Sequence, residues 1–109
     1  MQGFTAFLIY ISIFVKQKGI AILRDYKARS AEKYGIETLG LFGSVARGEQ
    51  NEKSDIDVFI LLKKPDFFVR MAIKEELEHL FHTEIDLVPI FETMRMLLRN
   101  NIKQDAIYV

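Results

Sequence analysis

The sequence predicts one α/β (α+β) domain in which helices pack on a small mixed β-sheet. Half of the 109 residues are hydrophobic and 28% are charged, with only two prolines and six glycines. This composition is typical of one packed globular domain and excludes a disordered or fibrous chain. The hydrophobic pattern then changes between helical and strand periods in the order helix, strand, strand, helix, strand, helix, which indicates the fold class.

An apolar segment over residues 3–15, followed by Lys16 and Lys18, opens the chain. It is shorter than the roughly 20 apolar residues that span a membrane. It also lacks the basic start and cleavage site of a signal peptide, so we expect no membrane association. We predict an N-terminal extension over residues 1–19 and a domain over residues 20–109. The extension is an added packing element, a contact in a homo-oligomer, or the product of a start codon upstream of the natural one.

The first helix of the domain is predicted over residues 20–34. Helical spacing places apolar and aromatic side chains on one face, and Gly35 is a natural stop. That face carries Leu23, Tyr26, Ala31 and Tyr34.

Two strands follow, over residues 38–42 and 56–62. The first runs into Gly43 and Ser44, and the second begins at Asp55-Ile56-Asp57. A turn rich in glycine and polar residues connects them, so the two strands frame the most polar stretch of the chain.

The C-terminal half continues with a helix capped by Asp66, a strand over residues 84–88 stopped by Pro89, a helix over residues 92–101 and a closing strand over residues 106–109. The inward positions of the Asp66 helix are Val69, Ile73, Leu77 and either Leu80 or Phe81. The last helix offers Met94, Leu97 and Leu98 to the core.

Charge is balanced overall but unevenly distributed. Fifteen basic residues cancel fifteen acidic ones, so no global basic field favours nucleic acid, and we expect no direct nucleic-acid binding. Six basic side chains lie between residues 16 and 33, whereas five acidic and no Lys or Arg side chains lie between residues 75 and 86. This asymmetry fits two solvated helix faces or a docking surface for a complementary partner.

No cysteine is present, which excludes disulfide scaffolds, thiolate zinc sites and cysteine nucleophiles and favours a cytoplasmic protein. His79 and His82 are three residues apart on a predicted helix. They form either a metal-binding pair or a solvated helix end, and no known zinc spacing accompanies them.

Gly43 and Ser44 form a candidate phosphate-binding turn. A glycine after a strand lets the backbone approach a ligand, Ser44 offers a hydroxyl, and the amides of the following turn suit phosphate oxygens. Taken alone, the pair is explained better by an ordinary strand-to-helix turn.

Asp55 and Asp57 lie two residues apart in a strand, so their carboxylates project from the same face. Paired like charges repel each other and have no packing role at the start of an apolar strand. Binding of divalent cations would explain the two aspartates, because Mg²⁺ prefers carboxylate oxygens together with substrate phosphates. Two such ions about 4 Å apart promote phosphoryl or nucleotidyl transfer.

The pattern Gly43-Ser44, Ala46-Arg47-Gly48 and Ser54-Asp55-Ile56-Asp57 resembles the signature of the DNA polymerase β nucleotidyltransferase superfamily, and its minimal nucleotidyltransferases in particular. The resemblance extends over about residues 20–109, and the apolar first 15 or so residues depart from it. It implies the nucleotidyltransferase fold.

The family also uses a third carboxylate from a neighbouring strand, and Asp86 is the residue that matches. The strand pattern agrees with this, because Ile85 and Leu87 would point to one face while Asp86 points to the other, where it could meet Asp55 and Asp57. The alternative is an exposed aspartate on an edge strand.

The resemblance implies a Mg²⁺-dependent reaction with ATP as substrate. Gly43 and Ser44 hold the β- and γ-phosphates, Asp55 and Asp57 carry two Mg²⁺ ions, and Asp86 completes one metal site and helps to deprotonate an acceptor hydroxyl.

The resemblance also implies supporting roles for two loop residues. Arg47 neutralises triphosphate charge, or pairs instead with Glu49 or Glu52. Ser54 caps or orients the Asp55 loop and is not expected to be a nucleophile.

Minimal nucleotidyltransferases are typically paired with a HEPN-domain ribonuclease toxin, and the resemblance implies transfer of AMP from ATP to a tyrosine of that toxin. The chain lacks the HEPN pattern of an Arg followed four to six residues later by a His, so we expect it to be the antitoxin. The alternatives are an antitoxin that neutralises its toxin by binding alone, and nucleotidyl transfer to a small molecule, for which a substrate domain is missing.

Overall fold

The computed structural model describes residues 2–46, 56–90 and 106–109. The elements are α1 (Gln2–Tyr34), β1 (Ile36–Phe42), α2 (Gly43–Ala46), β2 (Ile56–Leu62), α3 (Phe67–Phe81), β3 (Ile85–Pro89) and β4 (Ile107–Tyr108). The predicted helix over residues 92–101, with Met94, Leu97 and Leu98, lies outside the described residues.

The four strands form one sheet in the order β3-β2-β1-β4. β1 pairs antiparallel with β2 and with β4, whereas β2 pairs parallel with β3 through the α3 crossover. This arrangement confirms the predicted small mixed sheet with helices packed on it.

Helix α1 is much longer than predicted. It ends at Tyr34 before Gly35, as expected, but it begins at Gln2 and joins the predicted extension to the predicted helix. A nearly uniform apolar segment has no polar face that would reveal a helical period, which is why its helical structure was not predicted. No helix in the described part of the chain combines the length and apolar content that membrane crossing requires.

Gly19 lies inside α1 and is buried. Glycine in a helix interior costs about 1 kcal/mol relative to alanine. Here it allows close packing, because a Cβ at this position would lie 3.3 Å from Leu41 Cδ1 and 3.6 Å from Phe81 Cε1. The long helix therefore passes close to both β1 and α3.

One face of the sheet packs against α1 and α3 and holds the main core. Leu23 and Tyr26 of α1 and Ile73 and Leu77 of α3 are buried there. The strands contribute alternating residues to the same cluster: Leu39, Leu41, Ile56, Val58, Ile60, Leu62, Ile85 and Leu87. This alternation places the intervening side chains on the other face.

Helix α3 begins as predicted. The Asp66 side chain accepts hydrogen bonds from the backbone N–H groups of Phe68 (2.9 Å) and Val69 (3.1 Å). At the far end Phe81 packs against the core, whereas Leu80 is 37% exposed. The fourth inward position is therefore Phe81.

Strand β3 includes Pro89, which was predicted to stop it. Proline is tolerated because β3 is an edge strand, where one side needs no ladder hydrogen bond. The N–H of Ile90 donates to the carbonyl of Ile60 at 2.8 Å and continues the pairing beyond the proline.

Candidate active site

The turn from β1 into α2 is built on Gly43. Its φ of 74° lies in the left-handed region, which strongly favours glycine. A Cβ at this position would lie 3.1 Å from Asp57 Cγ and would collide with the carboxylate itself. Backbone conformation and space both require glycine, and the turn therefore lies directly against the Asp57 side chain.

The short helix α2 is held by the core. Val45 and Ala46 are buried, so the first turn after β1 is fixed to the main hydrophobic cluster. The backbone of Ser44 lies within this helix, immediately after Gly43. The predicted phosphate-binding pair therefore lies in a fixed turn at the end of β1.

Asp57 and Asp86 lie directly opposite each other. They are register partners in the parallel pairing of β2 with β3, and Asp57 is also the register partner of Phe42 on β1. Neighbouring strands are about 4.8 Å apart, and residues paired in this way project from the same face.

Buried neighbours fix the direction of both carboxylates. Ile56 and Val58 on either side of Asp57 are buried in the core with α1 and α3, as are Ile85 and Leu87 on either side of Asp86. Asp57 is half-buried and Asp86 is exposed on the opposite face. The alternation predicted for β3 is confirmed.

The electrostatic arrangement of this pair suits a cation. Two carboxylates directly opposite on adjacent strands destabilise a sheet when nothing offsets their repulsion. Carboxylate oxygens are also the donors that Mg²⁺ prefers. The donors present on β2 and β3 therefore fit a divalent metal ion.

An aromatic pair borders the same face. Tyr108 is opposite Gly40 on β1, and Gly40 is opposite Phe59 on β2, two residues from Asp57. The rings of Phe59 and Tyr108 meet edge to face with their centroids 5.0 Å apart. The sequence predicted the strand of Tyr108 but not this contact, which depends on the pairing of β4 with β1.

Three predicted site residues, Arg47, Ser54 and Asp55, lie outside the described residues. Within the described ranges, no group of three or more His, Asp or Glu side chains forms a metal cluster, and His79 and His82 belong to none. The structure thus brings together Gly43, Asp57 and Asp86.

Comparison with known proteins extends the sequence evidence. The profile of the family described as Polymerase beta, Nucleotidyltransferase matches residues 26–109. A relative from Methanocaldococcus jannaschii, provisionally named a protein adenylyltransferase, is 36% identical over 89 residues, which is 81% of this chain and 91% of that protein. The match therefore takes in almost the whole relative.

Two solved structures share the fold. A toxin–antitoxin crystal structure with AMP-PNP matches with a TM-score of 0.58 and 21% identity over 77% of this chain and 69% of the matched chain. A tri-AMPylated Shewanella oneidensis HEPN toxin in complex with MNT antitoxin matches with a TM-score of 0.51 and 20% identity over 89% of this chain and 70% of the matched chain. At these identities the likeness establishes the fold alone.

Proposed function

Because the chain belongs to the Polymerase beta nucleotidyltransferase family, we propose that it transfers AMP from ATP to a tyrosine hydroxyl of a HEPN-domain toxin and so acts as an antitoxin. The observation that carries the proposal is the in-register pair Asp57 and Asp86, with Gly43 packed against Asp57. A relative named for protein adenylylation and a matched complex that contains an AMPylated HEPN toxin support the choice of substrate.

The residues of the turn and of the two strands have separate tasks in this proposal. The backbone at Gly43 and Ser44 holds the β- and γ-phosphates, where the missing Cβ leaves room for close approach. Asp57 and Asp86, together with Asp55, hold two Mg²⁺ ions. When bound, the ions neutralise charge on the triphosphate and on the leaving pyrophosphate.

At the α-phosphorus the transfer makes one bond and breaks one. The tyrosine oxygen attacks the α-phosphorus of ATP, and the bond from that phosphorus to the oxygen bridging to the β-phosphate breaks. Pyrophosphate leaves with the electron pair, and the phenolic proton passes to the Asp86 carboxylate as general base. Holding acceptor and donor in one orientation supplies much of the acceleration.

Two loop residues assist in the same proposal. Arg47 offsets the charge of the triphosphate, because a guanidinium forms strong hydrogen bonds with phosphate oxygens. Ser54 orients the loop that carries Asp55.

The test is the intact mass of the HEPN-domain partner that co-purifies with the chain, after incubation with ATP and Mg²⁺. We expect the partner to gain whole AMP units with the wild type and none with Asp57→Asn or Asp86→Asn. Glu32→Gln removes one exposed carboxylate from α1, which packs on the opposite face of the sheet from Asp57 and Asp86, and should leave the transfer unchanged. Digestion and fragment masses then identify the modified side chain.

The same experiment separates catalysis from binding. If the wild type leaves the partner unmodified but still inhibits it as well as both aspartate variants do, the protein is a binding antitoxin and the proposed transfer is wrong. Modification on a residue other than tyrosine would overturn only the assignment of the acceptor.

A further inference from the structure

Tyr108 lies on the same face of the sheet as Asp57 and Asp86. It is the register partner of Gly40, which is in turn opposite Phe59, and Phe59 is two residues from Asp57 on β2. Residues paired across strands project from the same face, and so do residues two apart in one strand. The proposed transfer gives Tyr108 no task.

The backbone on both sides of Tyr108 is firmly held. The side chains of Ile107 and Val109 pack against the main core on the helical side of the sheet. The N–H of Val109 donates to the carbonyl of Leu39 at 2.9 Å, and Lys27 Nζ donates to the carbonyl of Val109 at 2.7 Å. Tyr108 is therefore fixed on the edge strand with its side chain on the face of the carboxylates.

The Tyr108 ring is supported by Phe59 and remains accessible. The two rings meet with their centroids 5.0 Å apart and their planes at 71°. Phe59 is 3% exposed and covers Gly40, where a Cβ would lie 2.7 Å from Phe59 Cε1. Tyr108 itself is 50% exposed. Among the described residues, the other exposed large hydrophobic side chains lie on α1 and α3, so Tyr108 is the one that the sheet presents.

Aromatic rings connect Tyr108 with the carboxylate pair. Strands about 4.8 Å apart and a rise of about 3.3 Å per residue place its α-carbon about 12 Å from that of Asp57. The ring of Phe42, which is opposite Asp57, lies between them, with its centroid 6.2 Å from that of Phe59. An aromatic surface of three rings therefore runs from the sheet edge to the site.

The proposed transfer directs the nucleoside toward this surface. In an in-line displacement, the acceptor oxygen and the leaving pyrophosphate lie on opposite sides of the α-phosphorus. In the proposal Asp86 on β3 receives the acceptor proton, and the turn at Gly43 beyond β1 holds the leaving phosphates. The ribose and base are attached to the same phosphorus and extend to the side of this line. On the sheet, that side carries the aromatic surface.

A nucleobase is the part of ATP that suits a half-exposed tyrosine ring. Bases bind to aromatic side chains by stacking, because both are flat and have a π-face. A ring that is already fixed by a buried neighbour loses little conformational freedom when the base binds.

We propose that the adenine base of ATP stacks on Tyr108, with Phe59 as the support that orients the ring. The inference rests on the proposed adenylyl transfer and adds the group that recognises the nucleoside. Gly43, Asp57 and Asp86 recognise the triphosphate and its metal ions.

The first test compares two ligands by calorimetric titration of the whole chain in Mg²⁺: the ATP analogue AMP-PNP, and inorganic tripolyphosphate, which has no base. Tyr108→Leu should weaken AMP-PNP binding at least about fivefold and leave tripolyphosphate binding within about twofold. Tyr108→Phe keeps the ring and should bind AMP-PNP like the wild type. The ratio of the two affinities is a readout that a merely structural role of Tyr108 would not change.

Phe68→Leu is the matched control. Phe68 is 82% exposed at the start of α3, which follows the end of β2 away from Asp57, and its replacement should change neither affinity. Equal AMP-PNP affinity in wild type and Tyr108→Leu would overturn the inference, and so would an equal loss for both ligands.

A measurement on the wild type requires no variant. Nuclear Overhauser effects should connect the ring protons of Tyr108 with the H2 or H8 proton of the adenine in bound AMP-PNP. Effects from the adenine to other residues, with none to Tyr108, would place the base elsewhere and overturn the inference.

Failure of the inference and failure of the proposed function give different results. In the partner-mass assay, Tyr108→Leu should raise the ATP concentration for half-maximal transfer at least about fivefold, with the rate at saturating ATP within about twofold of the wild type. Unchanged ATP dependence would overturn the inference and leave the transfer standing. A wild type that transfers no AMP would overturn the proposed function, while the AMP-PNP titration still decides the role of Tyr108. AMP found on Tyr108 itself would make it an acceptor and overturn its assignment to the base.

Discussion

Gly43 and Asp57 are packed so closely that a side chain at position 43 would occupy the space of the Asp57 carboxylate. The contact joins the turn after β1 to the first acidic residue of β2, and that residue is in turn opposite Asp86 on β3. Turn and carboxylates therefore form one unit whose geometry depends on the absence of a single methyl group.

Gly43→Ala should remove adenylyl transfer. Alanine at a φ of 74° is strained by about 1–2 kcal/mol, and its Cβ must also displace the Asp57 carboxylate. Thermal unfolding and the partner-mass assay measure the two effects. Gly35→Ala is the matched control, because its φ of 69° imposes the same strain while its Cβ would meet only Lys63 Cβ at 3.8 Å. Full transfer by Gly43→Ala would contradict the proposed arrangement.

Asp86→Asn should remove most of the stabilisation against unfolding that the protein gains from added Mg²⁺. Removing one of two like charges in register relieves repulsion, so the apo protein should keep its stability or gain up to about 1 kcal/mol. The wild type should be stabilised by added Mg²⁺ through mass action, and the variant much less so. Thermal melts with and without Mg²⁺ test this, with Glu32→Gln as the control. Equal Mg²⁺ stabilisation of Asp86→Asn and wild type would be evidence against the metal site.

Tyr34 and Tyr26 should make the protein sensitive to alkali. The hydrogen bond to Glu76 raises the pKa of Tyr34, and burial raises that of Tyr26. The pKa of each phenol is therefore higher in the folded protein than the value of about 10 in the unfolded chain, so each phenol contributes to the free energy of unfolding. This contribution is fully present below pH 10 and is lost as the pH rises through the folded-state pKa values. Denaturant unfolding at pH 7 and pH 11 measures the loss.

Tyr34→Phe should reduce that alkaline loss, because one of the two phenols no longer titrates. At pH 7 it should cost about 1 kcal/mol, because the hydrogen bond to Glu76 is removed. The double variant Tyr26→Phe/Tyr34→Phe should lose most of the alkaline dependence. An unchanged pH profile in the double variant would show that other groups control it.

Asp66→Ala should destabilise the protein by about 1 kcal/mol, because two backbone N–H groups at the start of α3 lose their acceptor. Lys64→Ala, an exposed change two residues earlier, should have little effect on unfolding. AMP transfer per folded molecule should be unaffected by either variant. A loss of transfer in Asp66→Ala would mean that α3 also positions the site.

The fold and part of the geometry of the candidate site could be predicted because they depend on local patterns. The alternation in β3 predicted which face of the sheet Asp86 projects from, and Asp66 was predicted as the N-cap of α3. The motif around Gly43 and Asp57 indicated the family that the profile match confirms. Whether Arg47, Ser54 and Asp55 complete the site stays a prediction, because they lie outside the described residues.

Features that depend on distant contacts were not visible in the sequence. The hydrogen bond from Tyr34 to Glu76 joins residues 42 positions apart, and a groove beside Tyr26 exists only because α1 and α3 pack side by side. The spacing of Tyr26 and Tyr34 predicted an inward helix face, but it carried no information on which hydroxyl would find a partner.

The position of β4 has a consequence for synthesis of the chain. β1 pairs with β4 through Gly40 and Leu41, and Lys27 Nζ donates to the carbonyl of Val109 at 2.7 Å across 82 positions of sequence. Since residues 107–109 leave the ribosome after the other three strands, β1 exposes an open hydrogen-bonding edge until they arrive. An open strand edge is a template for pairing with another chain, and β4 covers the part of this edge at Gly40 and Leu41.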